Sequence, residues 1–158
     1  MTRAALLGAL CLLLVGCGDD GDEGNGGGSA SIASGTLTGK VGGMSWTLAS
    51  AQTNAFLSDE SGFWVDLYGE PVASCDDFGS GNSLIVTAPT QLGTHSFSLS
   101  LNGTFVIANP STGGDNLVAT DGAIRVDEIT ASVVRGGVTM TYDADNSVSG
   151  EFEATICP

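Results

Sequence analysis

Positive charge is what this chain has least of: four Lys and Arg and one His stand against 18 Asp and Glu. Phosphate backbones and anionic lipid headgroups are held by dense Lys and Arg, so the composition argues against nucleic-acid binding and against electrostatic docking on a bilayer. With His95 as the sole histidine, any acid–base proposal has to use it. No G-x-S-x-G elbow occurs, and Ser96, the nearest serine, points to the opposite side of the strand that carries His95. His95 is therefore read as a structural or exposed strand residue, and no catalytic residue is assigned. Cysteines are few, four in all, and too scattered to make a ligand set with one histidine, so neither metal nor cofactor is expected. Gly24–Gly28 lacks the Lys and Ser/Thr of a phosphate loop. No long segment shows helical periodicity.

What is present begins with MTRAALLGALCLLLVGCGDDGDEG. Arg3 gives a positive head, Ala4–Val15 an apolar body, and Gly16 a small residue ahead of Cys17, the layout of a cleavable export signal. The body is shorter than the ~20 residues that span a bilayer. Leu14-Val15-Gly16-Cys17 resembles the lipobox of bacterial lipoprotein precursors. That resemblance implies lipidation of Cys17, cleavage after Gly16 and a triacylated anchor; each buried methylene adds about 0.8 kcal/mol. Residues 17–34 then form an acidic Gly/Ser tether that cannot bury enough to order itself. Asp20-x-Asp22 with Asn25 lacks the spacing and closing glutamate of a calcium loop. The expected address is the bacterial cell envelope, at the outer membrane, with the lipid as the only membrane contact.

Removing the leader leaves Lys40, Arg125 and Arg135 against all 18 acids. It also leaves Cys75 and Cys157 as the pair expected to form a disulfide in an oxidising envelope, worth about 4–5 kcal/mol on the chain-entropy model. Residues 35–158 make one domain of about ten short strands, because apolar and polar residues alternate between Gly, Asn and Asp punctuation. The fold class is all-β, an antiparallel sandwich or flattened barrel in meander-like order. Gly42-Gly43 reads as a two-residue hairpin turn, and Asn102-Gly103 as another joining HSFSLSL to Thr104–Ala108. In HSFSLSL, His95, Phe97, Leu99 and Leu101 share one face. Glu70–Asn82 is a long loop, Ser83–Ala88 a strand, Asn109–Asn116 a loop, Leu117–Thr120 a short strand and Asp121-Gly122 a turn. Apolar positions change parity across Asp127-Glu128, which predicts a β-bulge. Val138, Met140 and Tyr142 lead into a turn at Asp143–Asn146. In the last strand Val148, Phe152, Ala154 and Ile156 point inward, with Glu151 and Glu153 outward.

Several acid pairs offer oxygens to a cation or to acid–base work: Asp76-Asp77, Asp127-Glu128 and Glu151-x-Glu153, the last about 7 Å apart by strand rise. In so acidic a chain a solvated face is the simpler reading. Asp143-x-Asp145-x-Ser147 opens like a calcium loop, but Val148 stands where the turn glycine belongs. Among the aromatics, Trp46, Trp64, Tyr68 and Tyr142, the pair Trp64 and Tyr68 share the face opposite Phe63, Val65 and Leu67. They are the candidate ligand-binding residues.

Taken with the lipobox and tether, GTLTGKVGGMSW (Gly35–Trp46), a loop cysteine, DGAIRV (Asp121–Val126) and GEFEATIC (Gly150–Cys157) resemble a loose group of uncharacterised bacterial envelope lipoproteins with one β-sandwich domain. The resemblance implies a fold and a compartment and brings no site residue. The expectation is a monomeric, non-enzymatic binding or structural module, whose partner is an envelope protein or glycan. The alternative is a lipocalin-like barrel that carries a small apolar ligand.

Overall fold

The computed structural model describes residues 31–54, 62–109 and 114–158. The leader, Cys17 and the tether as far as Ala30 lie outside the described residues. The described residues contain eleven strands. They are β1 (Thr38–Val41), β2 (Met44–Thr47), β3 (Ser50–Asn54), β4 (Phe63–Tyr68), β5 (Ser83–Ala88), β6 (Gly93–Ser96), β7 (Gly103–Ile107), β8 (Asp115–Val118), β9 (Asp121–Ile129), β10 (Val133–Asp143) and β11 (Asn146–Cys157).

They form one sheet in the order β6-β9-β10-β11-β3-β4-β5-β7-β8, with the β1–β2 hairpin paired on β11. Two antiparallel meanders, β3-β4-β5 and β9-β10-β11, are thus joined side by side. Their junction corrects the all-antiparallel expectation, because β11 and β3 pair in parallel at Thr155–Cys157 and Gln52–Asn54. The cause lies in the first hairpin. β1 runs antiparallel to β11 and β2 antiparallel to β1. The short link Leu48-Ala49 does not reverse the chain, so β3 inherits a direction parallel to β11.

The sheet is curled into a half-barrel, and chain connectivity requires it. β8 and β9 lie seven places apart in the strand order, about 34 Å on a flat sheet at strand spacing. Yet only Ala119 and Thr120 link them, a reach of about 11 Å. Curling turns one face inward around a filled core in which Leu37, Leu67, Leu84, Phe105, Ile124 and Met140 are fully buried.

Several expectations hold at residue level. Gly42 and Gly43 have φ of 62° and 75°, the positive values a two-residue turn of this type needs. The register moves from Arg135↔Glu128 to Gly136↔Val126, leaving Asp127 as the extra residue of a bulge. In β11, Val148, Phe152 and Ala154 are buried and Glu151 and Glu153 exposed.

Others are corrected. HSFSLSL is not one strand, for β6 ends at Ser96 and the chain bends back through Ser98 N–H to Leu101 C=O, 2.7 Å. Leu99 is fully exposed. Asn102-Gly103 closes no hairpin, because β6 pairs with β9 while β7 pairs with β5 and β8. Asp121-Gly122 opens β9, and the turn lies just before it at Ala119-Thr120. The expected turn at Asp143–Asn146 is present, and Tyr142 ahead of it is exposed where the β10–β11 register shifts between Thr141 and Asp143. The end of the expected tether lies on the sheet, where Ala33 N–H donates to Ser149 Oγ at 2.9 Å.

Candidate functional site

Cys75 and Cys157 are bonded, with Cα atoms 5.6 Å apart and a separation of 82 in the chain. The bridge ties the loop from Glu70 to Asn82 to the end of β11. Other groups hold the same loop. Glu70 accepts from Gly81 N–H at 2.9 Å and from Ser80 N–H, and these amides hold its carboxyl below the usual range. Asn82 donates to Val41 C=O at 2.8 Å and accepts from Ala108 N–H at 2.9 Å. Trp46 is buried and donates its indole N–H to Asn82 C=O at 2.8 Å, a structural role.

The loop decides what becomes of the Trp64–Tyr68 pair. Both residues lie on the outer face of β4, as the alternation implies, with Phe63, Val65 and Leu67 buried inside. Tyr68, however, is covered. Gln52 donates from Nε2 to the Tyr68 hydroxyl at 3.4 Å and to Asp77 C=O at 3.2 Å, and a Cβ at Gly79 would come within 2.6 Å of the Tyr68 ring. Tyr68 is 5% exposed and Trp64 is 53% exposed. The two therefore form no joint platform, and Trp64 alone offers a ring to solvent.

Between them on that face stands Asp66, half-buried, opposite Gln52 on β3 and Ile85 on β5. Among the described residues no hydrogen bond or ion pair reaches its carboxylate. Burial alone pushes its pKa up, and together with burial of the phenol its charge raises that of Tyr68. Ile85 is exposed beside it. Asp66 escaped the sequence reading because an isolated acid on an alternating strand resembles any solvated position.

A second surface lies on β9–β11, where the acid pairs Asp127-Glu128 and Glu151-x-Glu153 meet. Arg125 bonds Asp127 at 2.8 Å and Glu151 at 3.2 Å; Arg135 bonds Glu153 at 2.7 Å and also Glu128. Each guanidinium pKa is raised, by Asp127 first for Arg125 and by Glu153 first for Arg135. The ladder lines an open groove with Gly35, Thr36 and Leu48. Register builds it, since Arg135 stands opposite both Glu153 and Glu128. The legible signal was parity: both arginines and all four acids lie off the inward-facing pattern or at the bulge.

The remaining candidates serve local structure. His95 on edge strand β6 contacts Gln91 C=O at 3.1 Å. Asp77 accepts from the Ser74 hydroxyl at 3.0 Å. Asp143 spends one oxygen on Asp145 N–H and on Asn146 Nδ2, at 3.0 and 2.9 Å, capping its own turn. No group of three or more metal-ligating side chains occurs among the described residues. At one end of the half-barrel a cavity of about 410 Å³ is lined by Phe63, Ile129, Val134 and Ile156 with Thr53 and Thr130.

Fold and surfaces together define an all-β half-barrel with one disulfide, one arginine-matched acidic ladder and one exposed tryptophan. No family model, curated protein or solved structure matches the chain.

Proposed function

We propose that the chain is a lipid-anchored envelope protein at the outer membrane, a monomeric and non-enzymatic binding module whose contact surface is the outer face of β3–β5. One observation carries the reading: Trp64 is 53% exposed at the middle of a sheet whose core is filled. A tryptophan is costly to leave in water and is enriched where partners bind. The lipobox motif at Cys17, the acidic tether and the resemblance to envelope lipoproteins support the address.

Two experiments test it. A photo-reactive residue in place of Trp64, activated in intact envelopes, is expected to cross-link a partner, with the same residue in place of Tyr142 as the control. Equal cross-linking at both positions, or none, overturns the contact surface. Mass spectrometry of the envelope-purified chain is expected to find acyl groups on Cys17, and an unmodified Cys17 overturns the anchor.

A second reading has its own observation. The end cavity is mostly apolar and within the size range of small-ligand sites. A carrier of a small apolar molecule would co-purify with lipid-soluble cargo that Val134→Trp excludes; cargo-free protein removes this reading.

A further inference from the structure

Granting that the outer face of β3–β5 is a contact surface, we infer that its occupant is a basic polypeptide segment. One of its Arg or Lys side chains lies across the Trp64 indole and ends at the Asp66 carboxylate.

Four observations converge. The first is that Asp66 is a carboxylate taken partly out of water with no counterion among the described residues, whereas Glu70 holds backbone amides and the β9–β11 acids hold arginines. A desolvated charge of this kind lacks a donor, and a cationic donor repays the most. The second is spacing. Trp64 and Asp66 are two residues apart on one face of a strand, about 7 Å, which suits a cation stacked on an indole and paired just beyond it.

The third is charge. The described residues between Ser50 and Ala88 include four acids, Asp66, Glu70, Asp76 and Asp77, and no Lys, Arg or His. The region draws positive charge and repels an acidic partner. The last is size. Ile85, opposite Asp66 on β5, extends the exposed apolar surface past the Trp64–Asp66 pair. A free amine would leave it uncovered, while a polypeptide covers it with a residue flanking its cation.

The test uses the full chain in detergent, titrated with a synthetic peptide that has one arginine among apolar residues, and with its citrulline counterpart. The chain has two tryptophans, Trp46 buried and Trp64 exposed, so the fluorescence change absent from Trp64→Phe belongs to Trp64. A saturable change is expected, weakened about tenfold or more by citrulline and by Asp66→Asn. Asp115→Asn, the same charge change on the exposed strand β8, is expected to stay within about twofold of the parent. No saturation, equal binding of the citrulline peptide, or equal losses in the two Asn variants would overturn the inference. Near-ultraviolet circular dichroism shows that each variant is folded. A cross-link at position 64 with no peptide binding means the occupant is wrong and the contact surface stands; no cross-link at position 64 removes the surface itself.

Discussion

The two meanders treat their acids in opposite ways. On β9–β11 four carboxylates stand around two guanidinium groups, every one engaged. On β3–β5 Asp66 has neighbours that bury it and, among the described residues, none that pairs with it. Both faces are sheet exteriors of one acidic chain, so overall composition does not explain the contrast. Cross-strand register does, because it delivers Arg135 to two acids at once and delivers only Gln52 and Ile85 to Asp66. One face closes its electrostatics internally; the other leaves an opening for a partner.

The largest effect that separates the two halves is at the disulfide, which fastens the loop over β3–β4 to the end of β11. Cys75→Ala is expected to cost about 4–5 kcal/mol in chemical denaturation, given a closed loop of this length. Hydrogen exchange would then rise first at Gln52 and Tyr68, beneath the loop, and least in β10. Uniform loss across both meanders would remove the distinction.

Next comes the shared core. Leu67→Ala on β4 and Met140→Ala on β10 remove fully buried side chains, one from each meander, and each is expected to cost about 2–5 kcal/mol. Similar costs would place the difference between the halves on their outer faces alone. Arg135→Ala, which frees Glu128 and Glu153 on an exposed surface, is expected to cost far less than either core truncation, and less again in high salt.

The smallest effect has a sign of its own. Burial raises the Asp66 pKa above its ordinary 3.8, so on acidification the folded chain takes up this proton before the unfolded chain does. The protonated group's contribution is full below 3.8 and is lost as pH rises through the raised value. Asp66→Asn should therefore raise the neutral-pH melting temperature, by about 1–3 °C, and flatten this part of the profile. Glu70 acts oppositely: its lowered pKa gives stability that is present above 4.5 and lost on acidification. A variant more stable alone and weaker with a basic peptide is what a site kept for a partner implies.

Where burial has one inward face, alternation told the truth. It located β4, β5 and β11, and the parity change at Asp127 marked the bulge in the β9–β10 pairing. It failed where both faces are covered or where partners are distant. β3 went unseen because Ala51, Gln52 and Thr53 are all buried, leaving no alternation to read. The Asn102-Gly103 signal is local, while the pairing of β6 with β9 and of β7 with β5 is set by the curl of the whole sheet. Of the candidate site, Trp64 was legible from strand parity. Tyr68 was lost beneath a loop whose placement depends on a sulfur bridge and on Gln52. Asp66 was silent, since its distinction is the lack of a partner among the described residues, which only the neighbouring strands reveal.

Oxidative footprinting of Trp64 in intact envelopes, compared with the purified full chain, tests the contact surface most directly. Tyr142, 41% exposed on the other half of the sheet, serves as the internal reference. Trp64 oxidation is expected to fall severalfold in envelopes while Tyr142 is unchanged; equal labelling of Trp64 in both settings would contradict the account.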